Sequence, residues 1–209
     1  MNQGQINDGV STTAIAAVGQ LLVPAIRYEN GYARHYNERC SATAVSQGDR
    51  DAEFLLSAWH CLEDYRDLSK PLTFELSSGF RSPVRVVASG ESMSNDWILL
   101  KLAKPAPDAV EIAENTSLEG TELVMAGYPR DHNAEDQGPV TVSCRQRGIE
   151  VEDFGSDCVL QKGASGGAVF NDEGQIVGVI SRGDGESVSI FVPVSRFRDR
   201  LSPYLAPSE

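Results

Sequence analysis

The chain is 209 residues long, enough for one large domain or two small lobes around a shared core, and too short for a multidomain assembly. Hydrophobic residues make up 41% and charged residues 23%, an ordinary globular composition that excludes a disordered or fibrous chain. Thirty acidic against 18 basic residues give a net charge of -12, which repels phosphate backbones and anionic lipid and makes nucleic acids and membrane surfaces poor partners.

The first extended feature is the uncharged run from Gly9 to Ile26. Its Ser, Thr, Gln and Pro content makes it a poor membrane span, and nothing basic precedes it, so it is a poor signal peptide too. Short segments rich in β-branched and aromatic residues then dominate the chain, bounded by Gly, Pro, Asn, Asp or Ser. In order they are Gly19–Ile26, Ser41–Ser46, Glu53–Ser57, Leu72–Leu76, Val84–Ser89, Trp97–Lys101, Glu122–Gly127, Val140–Arg147, Cys158–Leu160, Ala168–Asn171, Ile176–Ser181 and Ser187–Val192. Twelve short strands predict an all-β barrel or sandwich pair. Glu29-Asn30-Gly31 and Asn171-Asp172-Glu173-Gly174 read as hairpin turns. Lys104–Asn115 contains Pro105 and Pro107 and reads as a linker between lobes. After Pro193, Ser195 is positioned to cap a helix reaching Leu205, with Phe197, Leu201 and Leu205 as its buried stripe. A short helical turn is also expected over Cys61–Tyr65. The organisation is therefore a first lobe over about 14–104, a linker over about 104–116, a second lobe over about 117–194 and a terminal helix over about 195–205.

Four cysteines, Cys40, Cys61, Cys144 and Cys158, contain no Cys-x-x-Cys pair, which argues against zinc. Separations of 21 and 14 residues favour two local disulfides among three possible connectivities. Each would add roughly 3 kcal/mol by restricting the unfolded chain, and they imply an oxidising compartment.

Three local patterns carry chemistry. In Lys162-Gly163-Ala164-Ser165-Gly166-Gly167, glycines on both sides of a serine let the backbone turn tightly, expose the hydroxyl and leave N–H groups free to converge. Ser57-Ala58-Trp59-His60-Cys61 puts a histidine at the end of an apolar strand. Asn95-Asp96-Trp97-Ile98-Leu99-Leu100 puts an aspartate directly before another. Each alone is equally a flexible turn, a surface histidine or a strand cap. In chain order they are His60, Asp96 and Ser165, spaced by 36 and 69 residues and all attached to strand ends.

This order and wording resemble the trypsin-like serine proteases, bacterial members in particular. "SAWHC" resembles the family's histidine motif, "NDWILLKL" its aspartate motif, "KGASGGAVF" its serine motif and "IVGVIS" the strand that follows; "RCSATAV" resembles the strand whose cysteine is bonded to the one after the histidine. The resemblance runs from about Gly19 to Leu205. It implies two six-stranded antiparallel β-barrels of the chymotrypsin type with a short C-terminal helix, and the disulfides Cys40–Cys61 and Cys144–Cys158. It implies a serine endopeptidase that needs neither metal nor cofactor. In that reading His60 is the general base, Asp96 its orienter and Ser165 the nucleophile. The N–H groups of Gly163 and Ser165 bind the oxyanion, and the substrate is a protein or peptide.

For substrate binding the resemblance implies Val159, Leu160, Gln161 and Lys162, the edge Ser181, Arg182 and Gly183 (pairing with substrate as an added strand), and Ser189. Val159 stands where an acidic residue would select Lys or Arg, and Ile180 where glutamate-selective relatives carry histidine. A small or medium apolar side chain is therefore expected in the primary pocket, with Arg182 at its rim able to favour an acidic neighbour. Ala164 stands where digestive relatives carry the aspartate that pairs with a newly cut amino terminus. No such activation is expected, and the loop should be held by packing, Gly166, Gly167 and the Cys144–Cys158 bridge. The remaining readings are a secreted or periplasmic monomer whose signal segment is absent from this sequence, and, as the rival function, a catalytically inactive peptide-binding protein on the same fold. His35, His132, Asp64 and Asp67 lack the strand-end context of His60 and Asp96, Asp49–Glu53 reads as a solvated turn rather than a calcium site, and Gly127-Tyr128-Pro129 reads as a structural turn.

Overall fold

A computed structural model describes residues 10–48, 52–63, 65–114, 120–130, 138–150 and 153–205. Asp49 to Asp51, Asp64 and His132 lie outside them. After a five-residue helix α1 (Thr12–Ala16), β1 (Val18–Glu29), β2 (Tyr32–Ser46), β3 (Ala52–Ser57), β4 (Leu72–Glu75), β5 (Arg81–Ser89) and β6 (Ile98–Ala106) are laid down in turn. They pair in the order β1-β4-β5-β6-β3-β2, and β2 returns to β1, closing an antiparallel barrel. The β1–β2 turn follows from its sequence: Asn30 and Gly31 both take positive φ, 52° and 82°, and Glu29 faces Tyr32, so the strands continue without slip. A two-residue strand β7 (Val110–Glu111) runs parallel to the end of β2.

The second barrel is built from β8 (Glu122–Gly127), β9 (Val140–Glu150), β10 (Asp153–Ser156), β11 (Ala168–Phe170), β12 (Ile176–Gly183) and β13 (Ser189–Pro193), closed in the order β10-β13-β12-β11-β8-β9. Apolar side chains fill both interiors. Leu21, Leu55, Phe74, Ile98 and Leu100 lie in the first, and Leu123, Met125, Val169 and Phe191 in the second, each with at most 1% of its surface exposed. Disulfides join Cys40 to Cys61 and Cys144 to Cys158.

Several elements differ from the sequence expectation; the helical turn expected over Cys61–Tyr65 is a 3-10 turn over Trp59–Leu62, and α1 had no counterpart in the sequence reading. No strand forms over Cys158–Leu160; the sixth strand of the second barrel is β10. Its ladder ends at Asp157, whose carboxylate accepts the Arg145 N–H at 2.7 Å and whose N–H reaches the Arg145 carbonyl, after which the chain turns away at the bridged Cys158. Part of the expected linker is strand, since β6 runs on through Pro105 to Ala106 and β7 follows. Finally, Ser195 lies inside a 3-10 turn (Val194–Arg196) rather than capping a helix, and Phe197 at φ -129° separates that turn from α2 (Arg198–Leu205). Pro203 inside α2 offers no N–H to the Asp199 carbonyl, and the Ser202 hydroxyl donates there instead at 3.2 Å.

This C-terminal segment returns to the first barrel. Phe197 stacks on Trp97 with ring centroids 4.9 Å apart and planes 15° apart, and the Arg200 guanidinium lies 5.0 Å from the Trp97 ring. Both aromatic side chains are 1% exposed, and Trp97 follows Asp96 directly. Phe197→Ala should therefore cost about 3–5 kcal/mol in chemical denaturation. A loss below about 1 kcal/mol would show that the segment does not anchor this corner.

Candidate active site

β3 delivers His60 on a 3-10 turn, Trp59–Leu62, at its C-terminal end, while Asp96 sits at the entry to β6, the strand paired with β3. The two side chains meet because Leu56 and Ser57 face Leu99 and Ile98 in that ladder. Asp96 is fully buried. One carboxylate oxygen accepts the backbone N–H of His60 at 2.9 Å; the other lies 2.7 Å from His60 Nδ1 and accepts the Ser181 hydroxyl at 2.5 Å. Burial alone would raise the pKa of this carboxyl, but the hydrogen bonds and charge of His60, with the Ser181 hydroxyl, overcome it and hold the group below the usual carboxylate range. An ionised carboxylate only accepts, so Nδ1 carries hydrogen and, in the neutral ring, Nε2 keeps its lone pair.

Ser165 comes from the second barrel, in the loop between β10 and β11. Its hydroxyl donates to the Ser181 carbonyl at 3.1 Å rather than to the imidazole. Ser165 and His60 nevertheless line the same two cavities, one of about 530 Å³ and one of about 320 Å³. The structure thus joins His60 to Asp96 directly and brings Ser165 to the same cleft.

The backbone around Ser165 is clamped one carbonyl at a time. Lys162 O accepts the Arg130 N–H at 2.6 Å, Gly163 O the Ser41 hydroxyl at 2.9 Å, Ala164 O the Gly167 N–H at 2.9 Å and Ser165 O the Ser41 N–H at 2.8 Å. Ala164 N–H closes a turn onto Gln161 O and Gly166 N–H reaches Ile180 O. Among the described residues, the N–H groups of Gly163 and Ser165 have no acceptor. A trans peptide sets its C=O and N–H on opposite edges, so pinning the carbonyls of Lys162 and Ala164 fixes where those two N–H groups point.

Three glycines in this loop are required by space, and at Gly167 a Cβ would lie 2.2 Å from Ala126 O. Gly163 has φ +102°, and a Cβ there would lie 2.6 Å from Tyr128 O; Gly166 has φ +82°, and a Cβ there would lie 2.2 Å from both Ser41 O and Ser57 Oγ.

Of the residues expected at the substrate pocket, Leu160, Gln161, Lys162, Ser181, Arg182, Gly183 and Ser189 line the larger cavity. Val159 does not line it and is 37% exposed. Met93 and the loop Asp184–Glu186 also line it and were not read from the sequence. The loop had a signal: Asp184 before Gly-Glu-Ser is an Asx-turn pattern, and its carboxylate accepts the N–H groups of Glu186, Ser187 and Val188. Met93 had none. His35 and Asp67 form a second imidazole–carboxylate pair at 2.7 Å, with Ser69 and Lys70 on the same carboxylate. Bonds from Ser69 first, then His35, hold Asp67 far below the usual carboxylate range. Neither His35 nor Asp67 lines a cavity containing Ser165. Among the described residues no cluster of His, Cys, Asp and Glu could hold a metal, and no helix is long and apolar enough to cross a membrane.

A family model described as a trypsin-like peptidase domain matches residues 40–179. No curated protein matches significantly. Among solved structures, that of the Rv3671c protease from M. tuberculosis in its active form is similar at a TM-score of 0.70 and 14% identity, covering 100% of this chain and 95% of that one. At that identity the likeness is one of fold, and the fold is chymotrypsin-like.

The clash at Gly166 yields a paired test. Gly166→Ala should lose at least about 2 kcal/mol, from left-handed backbone plus overlap with Ser41 and Ser57. Gly79→Ala, at φ +85° with nothing within 4 Å, should lose only the backbone part, about 1 kcal/mol. Equal losses in thermal unfolding would contradict the packing described.

Proposed function

Because the chain belongs to the trypsin-like peptidase domain family, we propose that it is a serine endopeptidase that works through His60, Asp96 and Ser165 and an acyl-enzyme. One observation carries the reading: an imidazole already oriented by a buried carboxylate lines the same cleft as a glycine-flanked serine. The Ser165 hydroxyl leaves the Ser181 carbonyl by rotation about its Cα–Cβ bond and turns to His60 Nε2. Hydrogen bonds of this kind commonly tighten only once substrate is bound.

The steps follow from those positions. Ser165 Oγ attacks the scissile carbonyl carbon as His60 Nε2 takes the hydroxyl proton. The carbonyl π electrons move to oxygen, and the unpaired N–H groups of Gly163 and Ser165 receive the developing charge, worth roughly 3 kcal/mol per donor. Collapse breaks the C–N bond, and His60 hands its proton to the leaving amine. Water then enters and gives a proton to His60 as its oxygen attacks the acyl carbon; the bond from that carbon to Ser165 Oγ breaks, His60 returns the proton to Oγ, and the acid is released. Throughout, Asp96 holds Nδ1–H and balances the imidazolium charge without taking the proton.

Substrate lies in the larger cavity, its backbone paired along Ser181–Gly183. Leu160 and Ile180 give that pocket apolar walls and Ser189 a small polar floor, in keeping with a small or medium apolar side chain. Two disulfides fit an extracytoplasmic location, and the protein is read as a secreted or periplasmic monomer.

Incubation with a fluorophosphonate should label Ser165 stoichiometrically, and Ser165→Ala should abolish the label. No labelling of the intact protein at neutral pH would instead support an inactive peptide-binding protein. His60→Ala should lower kcat by ~10⁶ and Asp96→Asn by ~10⁴. Asp96, held below its ordinary range, stays ionised as pH falls, so the acid limb of kcat/KM should come from an imidazole. Activity should rise with pH along that limb, and a flat profile would remove His60 from the mechanism.

A further inference from the structure

Relatives with an acidic residue before the nucleophile secure the loop around it with a salt bridge, whereas here that position is Ala164, 1% exposed and apolar. The bonds to Lys162 O and Ala164 O hold the two donor peptides themselves, and the peptide between them, Gly163–Ala164, needs an anchor of its own. That anchor is Ser41 on β2, a strand of the opposite barrel, whose exposure is 0%. Its hydroxyl donates to Gly163 O at 2.9 Å and accepts the Tyr128 N–H at 2.8 Å, while its own N–H donates to Ser165 O at 2.8 Å. The Ser57 hydroxyl in turn donates to Ser41 O at 2.7 Å. One side chain therefore uses both its donor and an acceptor position on two different backbone segments of the second barrel.

We infer that Ser41, through its side-chain hydroxyl, is the positioning residue that keeps this loop in its anion-receptive form, in place of a charged anchor. The inference rests on the peptidase reading above. Gly163 O belongs to the peptide between the two donor N–H groups, so that peptide's plane sets the relation of one donor to the other. Its N–H edge has only the 3.2 Å turn bond to Gln161 O. The Ser41 hydroxyl supplies its carbonyl edge. Tyr128 N–H fixes the hydroxyl in turn, because a hydroxyl accepting from a buried backbone donor has its own hydrogen directed elsewhere. With the hydroxyl gone, Gly163 at φ +102° has the backbone freedom to rotate the peptide.

The test is the kinetics of fluorophosphonate inactivation, where the Ser165–phosphorus bond forms, fluoride leaves and the phosphonyl oxygen occupies the position of the oxyanion. Ser41→Ala should lower the maximal inactivation rate by about 10- to 100-fold, comparable to loss of a donor, with the half-saturating concentration changed less than about twofold. A lower melting temperature alone is expected of any buried serine and decides nothing; the split between rate and saturation does. If intact protein is labelled and Ser41→Ala reacts at the same maximal rate, or loses only saturation, the inference fails while the peptidase reading stands. If intact protein is never labelled, both fail. Should Ser41→Ala not fold, Ser41→Thr and Ser41→Val, matched in shape, carry the comparison: Thr should react at least tenfold faster than Val, and equal rates would overturn the inference.

Discussion

The carboxylate of Asp96 is wholly removed from water, and the rest of the site follows from how that charge is satisfied. An isolated buried carboxylate would take up a proton or unfold its surroundings. Here it accepts three hydrogens: two from His60, backbone and ring, and one from Ser181 on the other barrel. The same bonds that make the charge tolerable orient the imidazole and tie β12 to the base of β6. Satisfying a polar group and assembling an imidazole–carboxylate pair are thus one event. The stacked Trp97 and Phe197 close the corner behind it.

A second constraint acts on the serine loop. Polar groups in a tight, mostly buried turn must be paired, and every carbonyl from Lys162 to Ser165 is. Among the described residues, the N–H groups of Gly163 and Ser165 are left without an acceptor. Partners for these carbonyls come from three places: the loop itself, the segment after β8, and Ser41 across the barrel interface. The loop is held by neutral hydrogen bonds, with Ala164 packed into the core where a charge would otherwise be needed. The Arg130–Glu38 ion pair lies just beyond, tying the Lys162 partner to β2.

Much of this was legible in the residues. β-branched strands between turn formers revealed nearly every strand of both barrels, because side-chain shape and turn chemistry are local. The pairing of His60 with Asp96, and the cysteine pairs, came from family resemblance, since contacts between residues far apart in sequence leave little local trace. What escaped was tertiary. Asp153–Ser156 has poor strand propensity and is strand because barrel closure requires a sixth partner. Cys158–Leu160 looks like strand and is loop, because Asp157 and a disulfide end the ladder there. Ser195 looked like a cap, but the chain tightens into a 3-10 turn to place Phe197 under Trp97. Ser41, one serine in a strand full of small residues, had no feature in sequence to set it apart from Ser46 or Ser57. Its importance comes from what lies across the interface.

In the proposed mechanism, base, nucleophile and anion-binding N–H groups converge on one substrate atom. A crystal structure of the phosphonylated protein tests it most directly. Phosphorus should be bonded to Ser165 Oγ, with its oxygen about 2.7–3.1 Å from the N atoms of both Gly163 and Ser165 and His60 Nε2 within hydrogen-bond reach of the adduct. A phosphonyl oxygen turned to solvent, away from both N–H groups, or an adduct on another residue would contradict it.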